Sequence, residues 1–94
     1  MKQVELEILS ETTNCPVVRM PQRRFPGVVI QGDSLKLLFD LADEVCGISA
    51  GMSNEDLAAA AAALKEKLAA YVAVYEQTMQ TSGLELPYPK ASAG

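Results

Sequence analysis

Val28-Val29-Ile30-Gln31-Gly32-Asp33-Ser34-Leu35 is the stretch in which the chain changes period, and with it secondary structure. Three β-branched residues in a row suit a pleated strand, and the run reads as a third, central strand of a sheet. Gly32 then stops the ladder. Asp33 or Ser34 supplies the side-chain oxygen that caps a helix by accepting a bond from an orphan backbone N–H. From Leu35 onward the apolar residues recur at helical intervals, through Leu38, Phe39, Ala42, Val45 and Cys46. These form one continuous face, with Asp40, Asp43 and Glu44 off it. A helix is expected over about 34–47, ended by a break that Gly47 and Gly51 bracket.

Upstream, Val4, Leu6 and Ile8 alternate with Gln3, Glu5 and Glu7, the period-2 signature of a strand over about 3–9. A polar turn over Ser10–Asn14 leads into a second strand over Pro16–Met20, which makes an antiparallel hairpin. Pro21 to Gly27 is a connection, because two prolines and a glycine interrupt any regular ladder. Downstream, Ser53-Asn54-Glu55-Asp56 opens a second helix with a cap and two acids that suit the positive end of its dipole. That helix runs to about Ser82, with Gly83 as its stop. Some 28 residues span roughly 42 Å, long enough to overhang its own core. The fold class is therefore α+β: a two- or three-stranded antiparallel sheet followed by two helices, the second long and Ala-rich. Residues 1–83 are read as one domain and 84–94 as an extended or frayed arm.

Composition limits the chemistry. Ninety-four residues with 49% hydrophobic and 21% charged side chains can bury enough apolar surface to fold, and suffice for one core. Histidine is absent, which excludes Ser-His-Asp and Cys-His catalysis and removes the commonest metal ligand. No catalytic residue, metal site or cofactor is assigned, and the expectation is a protein that is not an enzyme. Cys15 and Cys46 are too few for a disulfide scaffold and read as buried, reduced thiols. Acids at alternate positions near the N-terminus replace the apolar run of a secretion signal, so a cytoplasmic protein is expected. Lys65, Glu66 and Lys67 interrupt the most apolar stretch, which argues against a membrane span. A net charge of −4 argues against nucleic acid as a partner.

Two sets of residues stand out as candidate sites. Arg19, Arg23 and Arg24 lie within six positions of an otherwise acidic chain. With Gln31, Gly32 and Asp33 at a helix start, they offer forked donors and a favourable dipole to a carboxylate or phosphate on a ligand or partner. Asp33 opposes that reading, and no Gly-x-x-x-x-Gly-Lys loop is present. In the second helix, Leu57, Ala61, Leu64, Leu68, Tyr71 and Tyr75 are spaced 4, 3, 4, 3, 4. Beside them lies a row of Ala58, Ala62, Ala69 and Val72. Two apolar rows on one helix suggest a second buried face, so Ala58, Ala62, Leu68, Ala69 and Val72 are candidates for packing in a homodimer.

Asn14-Cys15-Pro16-Val17-Val18-Arg19-Met20-Pro21, followed by Arg23-Arg24-Phe25-Pro26-Gly27-Val28-Val29-Ile30-Gln31-Gly32-Asp33-Ser34-Leu35, resembles the core of a small uncharacterised bacterial family. That core is a Val-Arg-x-Pro strand and a Phe-Pro-Gly-Val-x-x-Gln-Gly-Asp-Ser-Leu segment. The resemblance covers residues 3–47 and leaves the alanine helix outside it. It implies a bacterial cytosolic protein and no activity. The leading expectation is a protein-binding module, of the immunity type or another stoichiometric inhibitor, that masks a basic surface with its acidic half. Residues 37–94 carry eight acids against three bases. The alternatives are an anion- or nucleotide-binding protein and a structural homo-oligomer.

Overall fold

A computed structural model of the chain describes residues 2–11 and 15–90. The turn expected over Ser10–Asn14 falls largely on residues 12–14, and the end of the arm on 91–94; both lie outside the described residues. The fold is α+β, with a three-stranded antiparallel sheet followed by two helices, the second the longer. The chain divides into two compact units, Met1–Gln31 and Gly32–Gly94.

The first unit holds β1 (Glu7–Ser10), β2 (Val17–Arg19) and β3 (Gly27–Val28) in the order β1-β2-β3. Glu7 pairs with Arg19 and Ile8 with Val18, and a bulge at Leu9 brings Ser10 opposite Val17. Val17 pairs in turn with Val28, and Val18 with Gly27. The expected hairpin is present, but the third strand is an edge rather than the centre. Two successive antiparallel connections place the middle strand of the chain in the middle of the sheet, and β-branched composition carries no information on that point. Val18, on the central strand, is the buried apolar residue among the described residues of this unit. Val29 and Ile30 leave the ladder after one further bond, from the Val29 N–H to the Pro16 carbonyl at 2.9 Å. Between β2 and β3 a turn closes with the Arg23 N–H donating to the Met20 carbonyl at 3.1 Å. Pro21 and Gln22 are its central residues, and Gln22 takes a left-handed φ of 68° where glycine or asparagine is the usual choice.

The second unit is a helical hairpin of α1 (Gly32–Ala50) and α2 (Glu55–Thr81). α1 starts earlier and ends later than its sequence signals suggest. Gly47 sits inside it, because an interior glycine costs only about 1 kcal/mol and Ser49 beyond it packs toward α2. Gly51 is the true turn residue, its N–H donating to the Ile48 carbonyl at 3.2 Å. The cap of α2 is Asn54, whose side-chain oxygen accepts from the Leu57 N–H at 2.9 Å. Gly83, at φ 70°, ends the helix as expected, with the Gly83 and Leu84 N–H groups bonded back to the Gln80 and Met79 carbonyls.

The two helices meet along complementary rows. Gly32, Leu35, Phe39, Ala42, Cys46 and Ser49 from α1 are all buried or half-buried, and so are Ala58, Ala61, Lys65, Leu68, Val72, Tyr75 and Met79 from α2. Both rows step by 3 and 4 residues, the spacing of a seam between antiparallel helices. At one end the Tyr75 ring occupies the place of a side chain at Gly32, so that even a Cβ there would overlap a ring carbon. Near the turn the facing residues are small: Ser49, Cys46, Ala58 and Ala61. Ser49 is only 2% exposed, and its hydroxyl is satisfied by donating to the Cys46 carbonyl at 2.9 Å.

Candidate functional site

The residues of the expected anion site are divided between the two units. Arg19, Arg23, Arg24 and Gln31 belong to the first unit, whereas Gly32 and Asp33 open the second. Arg19 Nε lies 3.4 Å from a Glu7 carboxylate oxygen, and an Arg19 terminal nitrogen donates to the Arg24 carbonyl at 3.3 Å. Arg24 stands over the Phe25 ring at 5.3 Å. Arg19 and Arg23 line an open groove of about 450 Å³, but Glu5 and Glu7 line it too. Two carboxylates and two guanidinium groups thus share this groove, whose charge is mixed. Gly32 has a packing role under Tyr75, and the Asp33 carboxylate accepts from the neighbouring Ser34 N–H at 2.9 Å.

The residues proposed for self-association lie in and beside the seam within the chain. Val72 is buried, Ala58, Leu68 and Ala69 are half-buried, and Ala62 is exposed. Val72 and Ala69 line a small hollow with Phe39 and Lys36 of α1. One chain thus already covers most of this row.

The conspicuous feature is a second row on each helix. Leu38, Leu41, Val45 and Ile48 each immediately precede a residue of the α1 seam; Leu57, Ala60, Leu64, Lys67, Tyr71 and Val74 each immediately precede a residue of the α2 seam. One residue is a rotation of about 100° on an α-helix, so this outer row stands roughly at right angles to the inner one. The displacement has the same sense on both helices, and in an antiparallel pair that brings both outer rows to the same side of the hairpin. All of them are exposed, with Ile48 at 61% and Tyr71 at 63%. Leu37 and Met52 extend the surface. Lys67 is the charge on these rows, and neither row carries an acid.

Sequence reasoning merged the two rows. On α1 the spacing puts Leu38 and Val45 on one face with Leu35, Phe39, Ala42 and Cys46; the structure leaves both exposed, at 42% and 46%. On α2 the spacing joins Leu57, Leu64 and Tyr71, which stand in the outer row, to Ala61, Leu68 and Tyr75, which stand in the inner row. A 3-4 pattern tolerates a shift of one residue, and only the partner helix decides which row it takes. Cys15 is another correction: it is exposed, lying before β2 rather than in it, while Cys46 is half-buried in the seam. Both cysteines are free.

The opposite side of the hairpin is polar and partly covered. Lys36 pairs with Asp40 along α1, and Lys65 of α2 reaches Asp43 of α1 at 2.8 Å. That bond and the Asp43 charge raise the Lys65 pKa above its ordinary value. After Gly83 the chain returns along α2 without regular secondary structure. Tyr88 stacks on Tyr75 with ring centres 6.5 Å apart, donates to a Glu76 carboxylate oxygen at 2.9 Å, and lies under the Lys36 ammonium. Burial, then the bond to Glu76 and its charge, push the Tyr88 hydroxyl up to about 12. The arm is therefore tied to α2 at residue 88.

Among the described residues no cluster of His, Cys, Asp and Glu could hold a metal ion, and no helix is long and apolar enough to cross a membrane. No curated protein and no solved structure matches the chain. A family model does match, over residues 1–88, and so takes in the long helix as well as the strands. The chain belongs to that family, described as a family of unknown function, DUF6959.

Proposed function

We propose that this chain is a non-enzymatic protein-binding module whose working surface is the outer apolar face of the α1–α2 hairpin. The observation that carries this reading is the second row itself. Leu38, Leu41, Val45 and Ile48 on α1 and Leu57, Leu64, Tyr71 and Val74 on α2 all stand in water on one side of the unit. Contiguous apolar surface on that scale costs solubility and marks an interaction site. The face lies on regular helices, which suits the rigid presentation of anchors to a partner. Two free cysteines fit a reducing compartment, and the resemblance of the strand segment to a bacterial family supports a bacterial cytosol.

The location of the acids makes masking of a basic surface the weaker form of this proposal. Asp40 and Asp43 already have lysine partners within the chain, and the outer rows carry no acid to offer a basic toxin. The anion-binding alternative loses ground to the carboxylates in the arginine groove.

Affinity capture from a lysate of the source organism, followed by reconstitution with the purified partner, tests the reading. Binding should be lost in a Leu41→Asp, Ile48→Asp variant and kept in an Arg23→Ala, Arg24→Ala variant. The reverse pattern would move the site to the sheet unit and overturn the assignment to the hairpin.

A further inference from the structure

We propose that the occupant of the outer face is a second copy of this chain, the two hairpins packing face to face as a four-helix bundle. The inference rests on the reading of that face as a binding surface and supplies its partner. A helix at the corner of a square bundle touches two neighbours, so it needs two apolar rows roughly 90° apart. Each helix of this hairpin has two rows one residue apart, a rotation of about 100°, and one of the two is already filled within the chain. The missing neighbours for α1 and α2 lie on the same side. A second hairpin supplies both at once.

Size and charge agree with that occupant. The nineteen residues of α1 span about 28 Å, and two helices side by side are about 20 Å wide, an outline on the order of 600 Å². Knobbed side chains raise the accessible area above the flat outline, which brings it near the roughly 800 Å² per partner of a standard interface. A net charge of −4 would set two copies against each other if their acids met. Here Asp40, Asp43 and Glu76 lie on the side of the arm, away from the contact. The outer face carries Lys67, with Glu44 on α1 and Asp56 on α2 at its edges, and is far less acidic than the chain as a whole. A strongly basic or acidic partner would find no matching charge there.

Sedimentation equilibrium on the full chain, from low to high micromolar concentration, tests the proposal. The expected result is a dimer whose dissociation constant rises by roughly 30-fold or more in Leu41→Asp, Ile48→Asp, the loss that marks residues at the centre of an interface. Ala62→Glu, on the opposite side of α2, should leave the dimer intact. Should the Asp variant lose helical content, Leu41→Ser, Ile48→Ser takes its place with the same expectation. A native chain that is monomeric at high micromolar concentration overturns the dimer, yet leaves capture of a different protein through the same face standing. A dimer that survives the outer-row changes and dissociates with Ala62→Glu overturns both the occupant and the face.

Discussion

The two sides of the helical hairpin are built from the same two helices and look nothing alike. On one side lysines meet aspartates and the returning arm lies on α2, with Tyr88 bonded to Glu76 and stacked on Tyr75. On the other, leucine, valine and isoleucine stand exposed with no charge among them but Lys67. The polar side is what a chain needs in order to stay in solution. The apolar side does nothing for an isolated hairpin, whose own seam is already filled by Phe39, Ala42, Ala61, Leu68 and Val72. What distinguishes the second side is that it can lower the free energy only by meeting something else.

The sharpest way to break this comparison is to put the same charge on each row of α2. Val72 is 7% exposed and Val74 67%. Val72→Asp buries a carboxylate without a partner and should cost more than about 3 kcal/mol in urea unfolding. Val74→Asp should stay within about 0.5 kcal/mol when measured below the concentration of any association. Similar costs for both would mean that the inner and outer rows are not distinct.

A smaller effect is expected at the end of the seam. Gly32→Ala drives a methyl group into the Tyr75 ring, and a shift of that ring disturbs its stack on Tyr88. Overpacking of this kind costs about 1–3 kcal/mol. Thermal unfolding measures the loss, and a parallel release of residues 84–90 in hydrogen exchange would show that Tyr75 had moved. An unchanged melting temperature would place Tyr75 elsewhere.

The smallest effect separates the covered side from the open one by pH. The Tyr88 hydroxyl is raised from 10.0 to about 12 in the folded chain. The folded state therefore holds its proton more tightly than the unfolded state. Its contribution to docking the arm is complete below pH 10 and is lost as pH rises toward 12. Tyrosinate absorbance should show a late component that Tyr88→Phe deletes, and the arm of the native chain should loosen over the same window. Absence of that component would contradict the burial of Tyr88 against α2 and its bond to Glu76.

The sequence announces its elements more clearly than its faces. The α+β class, the antiparallel β1–β2 hairpin, the Asn54 cap region and the Gly83 stop follow from local signals, because alternation, capping oxygens and left-handed glycine are properties of a few neighbouring residues. Which strand is central is settled by pairing, and β-branched residues such as Val29 and Ile30 pair equally well at an edge. Gly47 reads as a break, yet the helix runs through it because Ser49 packs beyond. The candidate face is not legible as such. The spacing from Leu57 to Tyr75 reads as one row and mixes residues of the inner and outer rows, which differ by one residue, and only the first helix decides between them. The arginine cluster, by contrast, is conspicuous in composition, whereas the carboxylates of Glu5 and Glu7 that share its groove come from β1 and the segment just before it and are seen there only in the fold.

Hydroxyl-radical footprinting of the native chain over a range of concentrations tests the central claim most directly, because it reads the exposure of each side chain without altering the protein. Leu41, Ile48, Met52 and Leu64 are predicted to react readily in dilute protein and to become protected together as concentration rises, while Ala62 and Glu66 on the other side keep their reactivity. Full reactivity of Leu41, Ile48 and Leu64 at every concentration, and in the presence of every protein captured with the chain, would contradict the account.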